Sequence, residues 1–277
     1  MDYQKIIVDD PRPGVRRITL NRPRQRNPLS NELRTELFDA LERGDVDADV
    51  RVMVIRGAGS CFSAGYDLKS NVAKDQPFYT AGGLGNWPRH VVEGFFKIWD
   101  LAKPVIAQVH GYCLAGGTEL ATACDLVYVA EDARIGYPVV RAISPPDNQF
   151  YPWIVGLRRA MELMLTGDHM SGLEAVSSGF ANRAFTEAEL EQAVLDIAVR
   201  VAQVPSDLQQ INKRAVHRQM DAMGIRAGIR AGTEMQQLAT FTASTQAHLA
   251  ELREGLTEAL SKRDAAFGDY RTEGDND

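Results

Sequence analysis

Short β-branched runs alternate with stretches of helical period through the first two-thirds of the chain. Val15-Arg16-Arg17-Ile18-Thr19-Leu20 and Val52-Met53-Val54-Ile55-Arg56 predict strands, the second closed by Gly57-Ala58-Gly59. Val105-Ile106-Ala107-Gln108-Val109 and Leu126-Val127-Tyr128-Val129-Ala130 predict two more. Between them, Ser30 caps a segment in which Leu33, Leu37 and Leu41 recur at helical spacing. Phe95, Ile98, Trp99 and Ala102 form a similar stripe before Lys103-Pro104. This alternation predicts βα repetition and a sheet covered on both faces.

The last third reads as helical. Ser171 with Glu174, and Thr186 with Glu189, have the spacing of capping boxes. Leu190, Ala193, Val194, Ile197 and Val201 then hold a helical stripe up to Pro205, and strand-like alternation is nearly lost from Asp207 to Phe267. The organisation expected is a core over residues 1–200 and a helical region over 201–277 that packs subunits together. Residues 70–94 break the pattern with Pro77, Phe78, Tyr79, three glycines, Trp87 and Pro88, and predict a long covering loop.

Composition narrows the classes. A length of 277 residues, 44% hydrophobic and 25% charged, suits one sizeable globular core. The formal net charge of −6 argues against a nucleic-acid partner, although local arginines can still hold a small anion. Cys61, Cys113 and Cys124 are an odd number with no CxxC pair, so a reducing cytoplasm is expected rather than a disulfide framework. The Met1-Asp2-Tyr3-Gln4-Lys5 start lacks a signal-peptide pattern, and no apolar run has membrane-spanning length. The histidines show no metal-ligand spacing, and Gly83-Leu84-Gly85 lacks the third glycine of a dinucleotide fingerprint.

Two stretches carry the chemistry. His110-Gly111-Tyr112-Cys113-Leu114-Ala115-Gly116-Gly117-Thr118-Glu119 brings a loop into a helix with a carboxylate in its first turn. Cys61-Phe62-Ser63-Ala64-Gly65-Tyr66-Asp67-Leu68-Lys69 is a strand exit turning through glycine. Two such turns can aim two backbone N–H groups at one oxygen, the hardware for holding an enolate or tetrahedral oxyanion. Glu119 stands close enough in sequence to move protons there.

These stretches resemble the crotonase superfamily, the enoyl-CoA hydratase/isomerase family. The resemblance extends from Asn21-Arg22-Pro23 through Leu165-Thr166-Gly167-Asp168 and Gly179-Phe180-Ala181-Asn182 to Lys262-Arg263-Asp264-Ala265-Ala266-Phe267. It implies a crotonase-type α/β fold, a spiral of ββα turns, with a C-terminal helical region forming a homotrimer or a dimer of trimers. It implies an acyl-CoA substrate whose thioester oxygen is held by the N–H groups of Tyr66 and Gly116. Arg24, Arg26, Ala64, Asp67, Leu68 and Lys69 would line the CoA, with Arg24 and Lys69 favoured over Arg26 for its phosphates. No metal or redox cofactor is implied; coenzyme A belongs to the substrate.

One departure bears on the reaction. Family hydratases carry a second glutamate in a Gly-x-Pro-Glu stretch, and here that stretch is Gly136-Tyr137-Pro138-Val139. Asp147, in the altered loop Ile143–Gln149, is the candidate to restore a carboxylate, with a plain turn residue as the competing reading. Hydration of a 2-enoyl-CoA through an oxyanion-stabilised enolate, with Glu119 as acid/base, is the leading expectation. The alternatives are a family isomerase or hydrolase on a specialised acyl-CoA, and a non-catalytic acyl-CoA-binding paralogue.

Overall fold

Strands buried on both faces need near-continuous apolar sequence, and the two centre-sheet runs supply it. In the computed structural model, which describes residues 2–70 and 76–270, β3 (Val52–Gly57) and β4 (Val105–Val109) are almost wholly buried. They join β1 (Ile6–Arg12), β2 (Val15–Leu20), β6 (Leu126–Ala130) and β9 (Arg183–Phe185) in a sheet ordered β1-β2-β3-β4-β6-β9. The β1–β2 pair is antiparallel and the other pairs are parallel, with Met53 opposite Val105 and Ile106 opposite Leu126. A second, three-stranded sheet contains β5 (Tyr112–Leu114), β7 (Arg134–Gly136) and β8 (His169–Met170).

Helices cover the large sheet. In α1 (Asn31–Val46), the Ser30 hydroxyl accepts from the Leu33 N–H, and Leu33, Leu37 and Leu41 are buried. The stripe on α7 (Glu187–Ala202) buries Leu190, Val194 and Leu195, and this helix packs across β1, β2, β3, β4, β6 and β9. The central apolar cluster runs from Val15 and Ile18 through Leu33, Ile55 and Ile106 to Val129 and Val194. Helices α8 (Ser206–Ala222), α9 (Ile225–Ala239), α10 (Ala243–Glu254) and α11 (Leu256–Ala265) complete the described chain.

Three expectations are corrected. The loop expected over 70–94 ends early, because α2 spans Asn86–Asp100 and takes Trp87, Phe95, Ile98 and Trp99 into one helix; residues 71–75 lie outside the described part. Ala102 falls beyond that helix. At α6 (Gly172–Ser177) the Ser171–Glu174 capping box forms as expected, but at α7 the Thr186 hydroxyl instead donates to Glu189 Oε2 at 2.7 Å and caps no backbone N–H. Thr186 thus satisfies the carboxylate, leaving the first-turn amides without side-chain caps.

The topology fixes the site's position. Because β3 and β4 are adjacent and parallel, the turns leaving their C-terminal ends lie side by side, where ligands gather in open parallel sheets. Backbone bonds zip those turns together: Phe62 N–H to the His110 carbonyl at 2.9 Å, Ser63 N–H to Tyr112 at 3.0 Å, and Leu114 N–H back to Ser63 at 3.0 Å.

Candidate active site

The zipped turns lead into α3 (Gly116–Ala123), which is buried along its whole length. Gly65 lies at φ 111°, and a β-carbon there would stand 2.9 Å from Ala115 Cβ and 3.4 Å from Gly116 N. Only glycine lets the two backbones approach this closely. Ala115, at φ 50°, is a non-glycine residue in the left-handed half of backbone space immediately before the helix. That strain sets the direction of the first helical amides. Among the described residues no hydrogen bond uses the Tyr66 or Gly116 N–H, whereas the flanking Asp67 N–H donates to Leu29. The two candidate oxyanion donors are therefore neighbours with their bonding capacity in hand.

Glu119, in the first turn of α3, is 1% exposed. Its Oε2 accepts from the Tyr66 hydroxyl at 2.6 Å and its Oε1 from the Asp147 N–H at 2.7 Å. Burial pushes its carboxyl from an ordinary 4.5 up to about 7, against hydrogen bonds from Tyr66, the Asp147 and Asn148 N–H groups and Tyr137. Asp147 is 3% exposed. Burial first, then the Glu119 charge, push its carboxyl well above the usual range, while Arg34 and the Trp87 indole act the other way. The structure thus brings Glu119 and Asp147 together from positions 28 residues apart. Two buried carboxyls joined through the Asp147 N–H, each favouring the neutral form, suit the holding and passing of a proton.

The Tyr66 ring closes over this pair. A β-carbon on Gly116 would stand 2.7 Å from its Cε2, so glycine at 116 makes room for the ring. Tyr66 meets the Trp87 ring edge-on, with centroids 5.1 Å apart. Beyond it lies Arg34 of α1, 4% exposed, with its guanidinium carbon 5.2 Å from the Trp87 centroid.

The expected CoA-lining residues divide. Arg24, Ala64, Leu68 and Lys69 are exposed on the turns outside the buried carboxyls. Arg26 lies over the Tyr112 ring at 5.3 Å, and its carbonyl receives the Ala64 N–H. Asp67 is engaged within the protein: its side chain pairs with Arg22 at 2.7 Å and accepts the Lys69 N–H at 3.0 Å. It clamps the turn that presents Tyr66. His110 Nε2 bonds the Gly59 carbonyl at 2.8 Å, a structural bond that ties the two turns. Burial pushes the Cys113 thiol well up, which keeps it protonated and unreactive. Val139 lies in a short 3-10 turn, Pro138–Arg141, while Tyr137 just before it reaches Glu119. Among the described residues no cluster of three or more His, Cys, Asp or Glu side chains could hold a metal ion.

Sequence reasoning missed Arg34, Trp87, Tyr137 and Arg22. Arg34 carried a signal: it falls four residues before Phe38 and seven before Leu41, on the buried side of α1, where a charge needs a purpose. Trp87 carried a weaker one, as an aromatic of the stretch expected to cover something, and Tyr137 carried none, since buried aromatics are ordinary core.

Fold and site together define an α/β protein with paired backbone donors and a buried carboxyl pair at the ends of its parallel strands. A family profile described as enoyl-CoA hydratase/isomerase matches residues 11–270, and the chain belongs to that family. It is 35% identical over 250 residues to a putative enoyl-CoA hydratase of Mycobacterium tuberculosis, covering 83% of this chain and 78% of that one. It is 33% identical to a probable enoyl-CoA hydratase of Rhizobium meliloti, covering 96% and 99%. The crystal structure of an enoyl-CoA hydratase from Mycobacterium smegmatis superposes with a TM-score of 0.88 at 30% identity, covering 97% and 96%. The crotonase-type fold expected from the sequence is the observed one.

Proposed function

We propose that this protein is an acyl-CoA-transforming lyase that adds water across the double bond of a 2-enoyl-CoA thioester. The observation that carries the reading is the placement of Glu119. It is buried beside Asp147, in the first turn of the helix whose first N–H lies next to the Tyr66 turn. Relatives named enoyl-CoA hydratase, at 33–35% identity, support it.

In the proposed step the thioester oxygen accepts from the N–H groups of Tyr66 and Gly116. As water adds to the β-carbon, negative charge moves onto that oxygen, where fixed donors stabilise it without reorganisation. With one carboxyl ionised and the other protonated, one takes a proton from water while the other delivers one to the α-carbon. Glu119 is assigned the base, because the Tyr66 hydroxyl and the Asp147 N–H stabilise its ionised form. Asp147 is assigned the acid, in the place left by Val139. The step needs no metal or redox cofactor. Arg24 and Lys69 are placed at the CoA phosphates, with Arg26 adding charge nearby.

Exposed apolar side chains on α8 and α9, including Ile211, Val216, Met235 and Leu238, fit a homotrimer or a dimer of trimers. No described helix is long and apolar enough to cross a membrane, and three free thiols fit a reducing cytoplasm.

The test is crotonyl-CoA with purified protein. Hydration removes the conjugated enoyl absorbance, releases no free thiol and yields 3-hydroxybutyryl-CoA. Thiol release would replace this reading with thioester hydrolysis. Tight CoA binding without turnover of any enoyl-CoA would replace it with a non-catalytic role.

A further inference from the structure

Arg34 is a buried cation without a carboxylate partner among the described residues. Its hydrogen bond to Asn31 is a long one, Nη1 to Oδ1 at 3.5 Å, and it forms no ion pair among the described residues. The Trp87 face covers one side of it. The charges of Glu119 and Asp147 act on it from the active site, and its own charge acts on His90, whose Nε2 is also unpartnered. Close by, Asp147 Oδ1 and both side-chain polar atoms of Asn148 are buried without partners among the described residues, and Asn148 is 1% exposed. Unused donors and acceptors of this kind are costly in a core meant only to hold an aliphatic chain. A guanidinium cannot escape the cost by giving up its proton.

Resting on the acyl-CoA reading above, we propose that Arg34 is a substrate-binding residue that takes a carboxylate at the far end of the acyl group, so that the substrate is the half-thioester of a short dicarboxylic acid. The planar fork of Arg34 matches a carboxylate bidentately. The short reach follows from the packing. From Glu119 the contacts run through the Tyr66 hydroxyl at 2.6 Å, from the Tyr66 ring to the Trp87 ring at 5.1 Å, and from Trp87 to Arg34 at 5.2 Å, so two aromatic rings separate the carboxyl from the guanidinium, and the charges of Glu119 and Asp147 both act on it. Neutral His90, whose imidazole burial and the Arg34 charge hold down at about 4, adds no competing cation. Asn148 has an amide to offer the same oxygen atoms. A neutral chain end would leave the guanidinium unpaired, and a long one would have to pass the Trp87 ring.

The experiment measures dissociation constants of the full-length protein for free CoA, glutaryl-CoA and the terminal carboxamide analogue of glutaryl-CoA. None of these has the double bond, so hydration does not intervene. The expected result is glutaryl-CoA tighter than its carboxamide by roughly 10–10²-fold, the range of one buried charge-assisted pair. Arg34→Gln should bring that ratio close to one, and Arg34→Lys should leave it between the two. Equal affinity of the wild type for both analogues overturns the proposal, and this comparison needs no variant to fold. A preference that survives in folded Arg34→Gln also overturns it. Failure to bind free CoA or either thioester would fail the acyl-CoA reading itself, whereas CoA binding with no preference fails only the carboxylate site.

Discussion

Replacing Glu119 by glutamine should make the protein more stable and less active, with the stability gain appearing only as pH rises. Glu119 holds its proton more tightly in the folded protein than in the unfolded chain, about 7 against 4.5. Below pH 4.5 both states are protonated and the residue is neutral in stability terms. As pH rises through that window the unfolded state ionises first, so the folded state loses stability until pH exceeds the folded value. At about 1.36 kcal/mol per pKa unit, the full loss is about 3 kcal/mol. Glutamine has the same shape and cannot ionise, so it escapes that loss. It also removes a charge that disfavours ionised Asp147, which adds to the effect. For a chain of this size the gain corresponds to roughly 5–10 °C in melting temperature at about pH 8.5 and almost nothing near pH 4.5. Thermal unfolding of wild type and Glu119→Gln across that range measures it, alongside hydration, which should fall about 10²–10⁴-fold. A melting difference that does not change with pH would refute the buried-carboxyl argument. Full activity in the variant would refute the assignment of Glu119 as the base.

Other perturbations probe the surroundings of that residue. Tyr66→Phe keeps the ring but removes the 2.6 Å bond that favours ionised Glu119, so the acid limb of the kcat/KM–pH profile should move up by about one unit; an unmoved limb counts against the contact. Gly116→Ala places a methyl group 2.7 Å from Tyr66 Cε2, and overpacking of this kind costs about 1–3 kcal/mol, so a loss of both stability and turnover is expected by denaturant titration and rate assay. Asp147→Asn retains the backbone N–H to Glu119 but removes the second carboxyl; kcat should fall with little change in CoA affinity, and an unchanged kcat would return Asp147 to the role of a turn residue. Alanine at Arg24 and Lys69 should weaken CoA binding more at low salt than at high salt, because exposed charge pairs are screened; calorimetry at two ionic strengths decides it.

The elements most legible in the sequence are those whose local and tertiary preferences agree. Val52–Arg56 and Val105–Val109 are strands because β-branched runs suit a sheet buried on both faces. Ser30 and Ser171 begin helices because their hydroxyls have backbone N–H groups to cap. Thr186 shows the limit: the same spacing supports a bond to Glu189 in place of a cap, and sequence cannot rank the two. The start of α2 was hidden because Pro77, three glycines and Pro88 read as loop, although proline is tolerated in a helix's first turn. Within the site, the glycine-containing turns pointed to Glu119 and a pair of backbone donors, and the family resemblance named Tyr66 and Gly116 as that pair. The packing of Asp147 onto Glu119 was a long-range event, and only the folded chain reveals that Arg34, Trp87 and Tyr137 surround the same carboxyls.

Trp87 gives this protein a built-in optical reporter. Its indole touches Tyr66 and Arg34 and acts on Asp147, so a ligand entering between them changes the charges around its excited state. Trp99 is occupied elsewhere, stacked on Phe150 and edge-on to His217, and Trp153 packs against Gly228. With those two replaced by phenylalanine, the remaining emission would follow the arrival of an acyl group directly, in real time and without a coupled assay. The residue that walls the proposed acyl site thus also makes its occupancy visible.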